Sequence, residues 1–221
     1  LKKKGYPLDV DEVVYTIRHP IASLSSETKH WLKYENGKHL SPWSLYFHID
    51  RVFNGLKDVL DIKAKIHIVQ LELLHRRNLE VMKDLTKRFK INFEDILTKS
   101  TYHGKLWWGD MVSGRDLNGV NPNFKNNIDY KLFYKKDIMC IEKYLKSFMI
   151  KYDYDFFEKK SNSELIKILP LKIEIKLLKK IILSFRIKES ITFVYYFLKR
   201  VRLMKKDIYE TLSLPNPAGK Q

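Results

Sequence analysis

The sequence predicts an α/β fold: a parallel sheet with crossover helices, followed by a helical carboxyl-terminal extension. Three observations carry this reading. The apolar, β-branched run Val13-Val14-Tyr15-Thr16-Ile17 is followed at once by residues that suit a helix. A second run, Lys65-Ile66-His67-Ile68-Val69-Gln70-Leu71, again leads into a helical pattern, over 78–89. Beyond residue 157, lysines alternate with Ile and Leu at helical spacing. Strand, helix, strand, helix in that order implies crossovers, and hence parallel pairing.

Taken in order, Arg18 closes the first strand. Pro20 fits the first helical turn, where its missing N–H costs nothing and its fixed φ suits the helix, so the bend falls at His19. Ser23 and Ser26 then share one helix face, with Ser25 turned away from it. Ser41-Pro42-Trp43 is a turn opening an amphipathic helix with Leu45, Ile49, Val52, Phe53, Leu56 and Leu60 as its core side. The second strand ends at Glu72, expected to anchor the strand end or cap backbone donors, and leads through Leu73-Leu74-His75 to helix 78–89, with Val81, Met82, Leu85 and Phe89. From 111 to 127 the turn signals Ser113-Gly114, Asn118-Gly119 and Asn121-Pro122 read as a loop. Residues 134–152 read as a helix with Ile138, Ile141, Tyr144, Leu145 and Phe148 inward. The expected division is a domain over 1–157 and a basic amphipathic extension over 158–221. In the extension Leu171, Ile175, Leu178 and Ile182 form a stripe beside Lys172, Lys176 and Lys179. That stripe is expected to pack on the domain or a partner; the alternative is a peripheral contact with an anionic membrane.

A chain of 221 residues, 44% hydrophobic, can bury a sizeable core. Eight glycines and seven prolines exclude collagen-like and low-complexity classes. The single cysteine, Cys140, cannot form an internal disulfide and is expected to be a buried structural thiol; no Cys/His spacing suits zinc. No apolar run reaches the ~18 residues of a membrane span and no signal peptide is evident, which suggests a cytoplasmic or membrane-peripheral location. The net charge of +16 invites a nucleic-acid reading. Its distribution weakens it: 161–221 alone holds 13 Lys and Arg against 5 Asp and Glu, at spacings typical of solvated helix faces, and no nucleic-acid motif is present, so no specific nucleic acid is expected. His39 and His48 could each be proposed as a catalytic base, but neither has an acidic partner at motif spacing, and a lone His is more often structural.

Arg18-His19-Pro20, with Ser26 eight positions past the arginine, resembles the motif with which sulfotransferases bind the 3′-phosphate of 3′-phosphoadenylyl sulfate, PAPS. The planar guanidinium can hold two oxygens of one phosphate while the hydroxyl takes a third. The stretch "HIVQLELL", then helix 78–89 and "KIN", is similar to the strand, Tyr-Glu-Asp-Leu and helix that follow this motif in the family. It departs at Leu71, where an aromatic is usual, and at Leu73, where Asp is usual. Thr101, Gly104-Lys105, Trp107 and Gly109 resemble the family's late loop: the glycines permit close backbone approach, Lys105 supplies charge and the indoles flat faces. The resemblance covers about residues 11–110.

The resemblance implies a P-loop-like sulfotransferase fold with PAPS as co-substrate and no metal. Arg18, Ser26, Gly104, Lys105 and Trp107 would bind the cofactor, with Arg18 and Ser26 facing one concave site. The reaction implied is sulfuryl transfer to a hydroxyl or amine of a carbohydrate or small molecule. The family carries its 5′-phosphosulfate loop and its base well ahead of Arg-x-Pro, whereas seventeen residues precede Arg18 and residue 1 is Leu rather than Met. The expectation is therefore a piece incomplete at the amino end, holding the 3′-phosphate half-site, with its catalytic residues upstream and no activity alone. The alternatives are a basic module that docks on nucleic acid or an anionic membrane without catalysis, and a nucleotide kinase of similar architecture.

Overall fold

The β-branched runs form strands in a computed structural model of the chain, which describes residues 10–34, 41–62, 64–99, 101–102, 105–106, 120–126, 128–157, 169–204, 207 and 209–219. In chain order the elements are β1 (Glu12–Ile17), α1 (Pro20–Tyr34), α2 (Pro42–Leu60), β2 (Lys65–Gln70), α3 (Leu71–Arg76) and α4 (Asn78–Phe89). A short hairpin follows, β3 (Thr101–Tyr102) with β4 (Lys105–Leu106), and then α5 (Lys135–Tyr144), α6 (Lys146–Lys151), α7 (Lys172–Leu183) and α8 (Ile187–Leu203). Two compact units result. One comprises residues 1–18, 59–126 and 215–221, the other 19–58 and 127–214.

In the first unit β1 and β2 pair in parallel, in register from Glu12 opposite Lys65 to Ile17 opposite Gln70. The parallel α/β reading is therefore met, on a two-stranded sheet. His67, Ile68, Val69 and Gln70 are all buried, whereas β1 is buried only at Ile17. The chain's far end explains the difference. Pro217 bridges Ile68 in parallel and the Ala218 N–H donates to the Ile68 carbonyl at 2.8 Å, so β2 is paired on both edges. Pairing on both edges satisfies the backbone groups of β2, so its last four residues can be buried. Val69, Val81, Leu85 and Ala218 form a core lined by Leu73, Leu74, Met82 and Phe89.

His67 is one of the two buried polar residues of β2, with Gln70. Its imidazole packs on Phe89, with 4.6 Å between ring centres, and its Nε2 lies 2.5 Å from Glu12 Oε2, while Lys65 Nζ reaches Glu12 Oε1 at 3.2 Å. The His67 hydrogen bond is the main reason why the Glu12 carboxyl is held below the usual carboxylate range. At the other edge the backbone around Gly219 is clamped by α4. Gly219 N–H donates to Asp84 Oδ2 at 2.8 Å, and Arg88 binds the same oxygen at 2.8 Å. Burial opposes ionisation of Asp84, but these donors together hold its carboxyl below its ordinary value.

The second unit is helical. α1 buries Ile21, Ala22 and Leu24, and α2 buries Leu45, Ile49, Phe53 and Leu56, as the periodicity predicts, with Val52 and Leu60 half-buried. The predicted helix over 134–152 is divided at Leu145, yet Ile138, Ile141, Tyr144, Leu145 and Phe148 all turn inward. Cys140 is buried as expected, its Sγ 3.8 Å from Met204 Sδ.

Three expectations are corrected. Leu71 opens α3 rather than closing the second strand, so the segment before α4 is a helical turn and not a strand end. His48 does have an acidic neighbour, Glu27 Oε2 at 3.5 Å, supplied by α1 rather than by any local motif. The buried stripe of α7 is Ile173, Leu177 and Ile181, not Ile175, Leu178 and Ile182; Ile182 is exposed. The reason is Glu174, which is fully buried. It accepts from Arg200 Nε at 2.7 Å, from the Tyr46 hydroxyl at 2.7 Å and from the Leu171 N–H at 2.6 Å. Burial pushes this carboxyl upward while Arg200 works to keep it ionised. Turning Glu174 inward rotates α7 by about one residue from the face that hydrophobicity alone selects.

Two stability predictions follow from these contacts. Gly219 has φ +76° and an added Cβ would lie 2.8 Å from Val81 Cγ2. Gly219→Ala is expected to cost about 1–3 kcal/mol in urea unfolding, the usual range for strained backbone. Arg200→Leu, which leaves Glu174 buried without its cation, is expected to cost about 3–5 kcal/mol. Adding Glu174→Leu should restore much of that loss, and a double-mutant cycle by urea titration measures the coupling.

Candidate functional site

Parallel strands end on the same side of a sheet, so the residues that follow β1 and β2 come to one edge. Arg18 directly follows β1, and α3, carrying Glu72 and His75, directly follows β2. Phe124 joins them from the segment 120–126. There the Phe124 N–H donates to the Asn121 carbonyl at 2.9 Å and the Asn123 N–H to Asn121 Oδ1 at 3.0 Å, the side-chain-closed turn that Asn121-Pro122 suggests in the sequence.

The resulting cluster has a defined geometry. His75 stacks on Phe124 with ring centres 4.5 Å apart and planes 12° from parallel. The Arg18 guanidinium carbon lies 5.9 Å from the centre of the same ring. The Asn121 N–H donates to His75 Nδ1 at 3.2 Å. An accepting Nδ1 means that the neutral ring carries its proton on Nε2, which is left as a donor. Burial, then the charge of Arg18, lower the His75 pKa, and Glu72 works the other way. Glu72 itself is buried in the first turn of α3. The edge thus offers a guanidinium, a neutral imidazole donor and an aromatic face, a set suited to a phosphate-like anion joined to a flat ring.

The other sequence-predicted site residues are placed differently. Ser26 lies on α1 in the helical unit and is exposed, whereas Ser25 is fully buried and its Oγ accepts from the Asp129 N–H at 3.0 Å. Lys105 is exposed on β4. Gly104 and Trp107, with His39, His103, Trp108, Gly109 and most of the 111–127 loop, lie outside the described residues. His48 is half-buried on α2; burial lowers its pKa, against the charge of Glu27.

Comparison with protein-family models, curated proteins and solved structures finds no match to this chain. The site therefore stands on its own geometry. Among the described residues no group of His, Cys, Asp and Glu is placed to hold a metal ion, and no helix is long and apolar enough to cross a membrane. The helical unit has a cleft of about 170 Å³, lined among others by Trp43, Phe47, Asp50, Tyr196 and Lys199. Of the described sequence-predicted site residues, Arg18, Ser26 and Lys105, none lines it. Its polar walls are partly engaged with each other: Asn54 Nδ2 donates to Asp50 Oδ1 at 2.7 Å and the Tyr144 hydroxyl to Asn54 Oδ1 at 3.1 Å.

His75 and Phe124 carry no role in the sequence reading. For His75 a signal existed, since it falls within one helical turn of a strand's carboxyl end. Phe124 had none, because an aromatic in a polar loop has no period to mark it. A direct check is titration of the His75 ring by NMR. Its pKa is expected below the ordinary value of about 6.5 and should rise in Arg18→Ala, although burial keeps it from recovering fully. Because the folded-state pKa is lowered, the stability linked to His75 is present above the unfolded pKa and falls as acid protonates the unfolded chain first.

Proposed function

We propose that this chain belongs to a PAPS-dependent sulfotransferase and that the carboxyl edge of β1 and β2 binds the 3′-phosphate end of the nucleotide. The observation that carries the reading is the meeting of Arg18 and His75 on one aromatic face at that edge. Ligands of open α/β sheets bind outside the carboxyl ends of the strands. The arginine that meets this condition is the one in the Arg18-His19-Pro20 motif, at a strand–helix junction of the expected kind. Arg18 supplies the charge for the phosphate, the His75 Nε2–H a second donor, and Phe124 a face against a base or sugar. Lys105, Gly104 and Trp107 would add to the site from the later loop. In the reaction, the sulfuryl group passes from the phosphosulfate of PAPS to an acceptor hydroxyl or amine. Adenosine 3′,5′-bisphosphate leaves and the acceptor proton goes to a base; the acceptor is a carbohydrate or small molecule.

Calorimetric titration with adenosine 3′,5′-bisphosphate, adenosine 5′-monophosphate and ATP tests the proposal. The bisphosphate should bind best, and Arg18→Ala should weaken it by about 1.5–3 kcal/mol, the worth of a charge-assisted contact. Tighter binding of ATP would favour a nucleotide kinase. Bisphosphate binding that ignores Arg18→Ala would remove the edge from consideration.

A further inference from the structure

The most exposed large apolar side chains of the described residues lie together at the tip of the α7–α8 hairpin. Leu183 is 81% exposed, Phe185 91%, Ile187 77% and Ile191 68%, and Ile182, Val194, Tyr195 and Leu198 continue the surface. The turn that presents them is held in place. The Ser184 hydroxyl donates to the Lys180 carbonyl at 2.8 Å, the Phe185 N–H to the Ile182 carbonyl at 3.1 Å, and Arg186 pairs with Glu189 at 2.8 Å. Phe185 has φ +50°, a left-handed position that usually falls to Gly or Asn, so a bulky aromatic is held outward at a backbone cost. Residues this apolar, this exposed and this close together call for a covering surface.

Charge identifies that surface. Residues 172–203 hold nine Lys and Arg against two Asp and Glu. Both acids are already engaged with arginines of the hairpin, Glu174 with Arg200 and Glu189 with Arg186. The exposed Lys176, Lys179 and Lys188 therefore add positive charge close behind the apolar tip. We infer that the α7–α8 hairpin docks on an anionic lipid bilayer. Leu183, Phe185 and Ile187 enter the headgroup–acyl boundary while the lysines meet lipid phosphates. The apolar apex separates this surface from a nucleic-acid site, which would take the cations without the Leu and Phe. Shallow insertion and polybasic attraction are each weak alone, and together they anchor a protein to a membrane surface. The inference is independent of the nucleotide reading.

Co-sedimentation of the full chain with vesicles of phosphatidylcholine, alone or mixed with phosphatidylserine, tests it. Binding should be at least roughly tenfold stronger on the mixed vesicles and should fall with added salt. Leu183→Ser with Phe185→Ser should abolish it, and Lys179→Glu with Lys188→Glu should remove the preference for anionic lipid. The serine pair sits on side chains 81% and 91% exposed, so far-UV circular dichroism should not change. As a second reading, Phe185→Trp should gain fluorescence quenching by brominated-chain lipids relative to wild type. Absent binding to mixed vesicles, binding indifferent to the serine pair, or a concentration-dependent dimer that this pair dissolves in analytical ultracentrifugation would each overturn the inference, the last in favour of a second copy of the chain.

Discussion

Parallel pairing of β1 with β2 is the constraint from which the arrangement of the candidate site follows. Two parallel strands cannot be joined by a tight turn, so residues 18–64 must leave the sheet and return before the second strand can begin. The same geometry sends both strands out at one edge. With Ile17 opposite Gln70, Arg18 and the start of α3 are neighbours whatever lies between them in sequence. A hairpin of the same two strands would have placed their carboxyl ends on opposite sides and Arg18 far from His75.

The second edge of β2 is occupied by the last residues of the chain. Ala218 bonds to Ile68, and Asp84 and Arg88 of α4 hold the backbone around Gly219. His67 is buried on β2, and Glu12 on β1 provides the polar partner that its burial requires. The sheet is small, but its buried imidazole is answered by a carboxylate from the neighbouring strand. That is the condition for burying such groups without a large energetic loss.

The helical unit meets a similar condition with one carboxylate. Glu174, Arg200 and Tyr46 come from three different helices and satisfy each other beside the cleft of this unit. Their alignment sets the rotation of α7, puts Leu177 and Ile181 inside, and leaves Ile182 and Leu183 out. The exposed tip is thus a by-product of the buried ion pair as much as of composition. Burying a carboxylate is costly unless it is paired, so Glu174 can face inward only with Arg200 and Tyr46 placed to meet it.

Several features were legible in the sequence because they depend on neighbours only a few positions away. Pro20 opens α1 where its ring fits, α4 spans 78–89 as its period indicates, and the apolar face of α2 is inside as read. The arginine at the first strand end was legible for the same reason, since strand, Arg, X and Pro are consecutive. Contacts between distant residues were not. Phe124 beneath Arg18 and His75, Glu27 beside His48, Pro217 against Ile68 and Arg200 on Glu174 join segments with no local pattern in common. Hydrophobic period and turn chemistry fix an element and its approximate face through local sterics and burial. Which polar groups meet inside depends on where separate elements dock, and only the tertiary structure decided that.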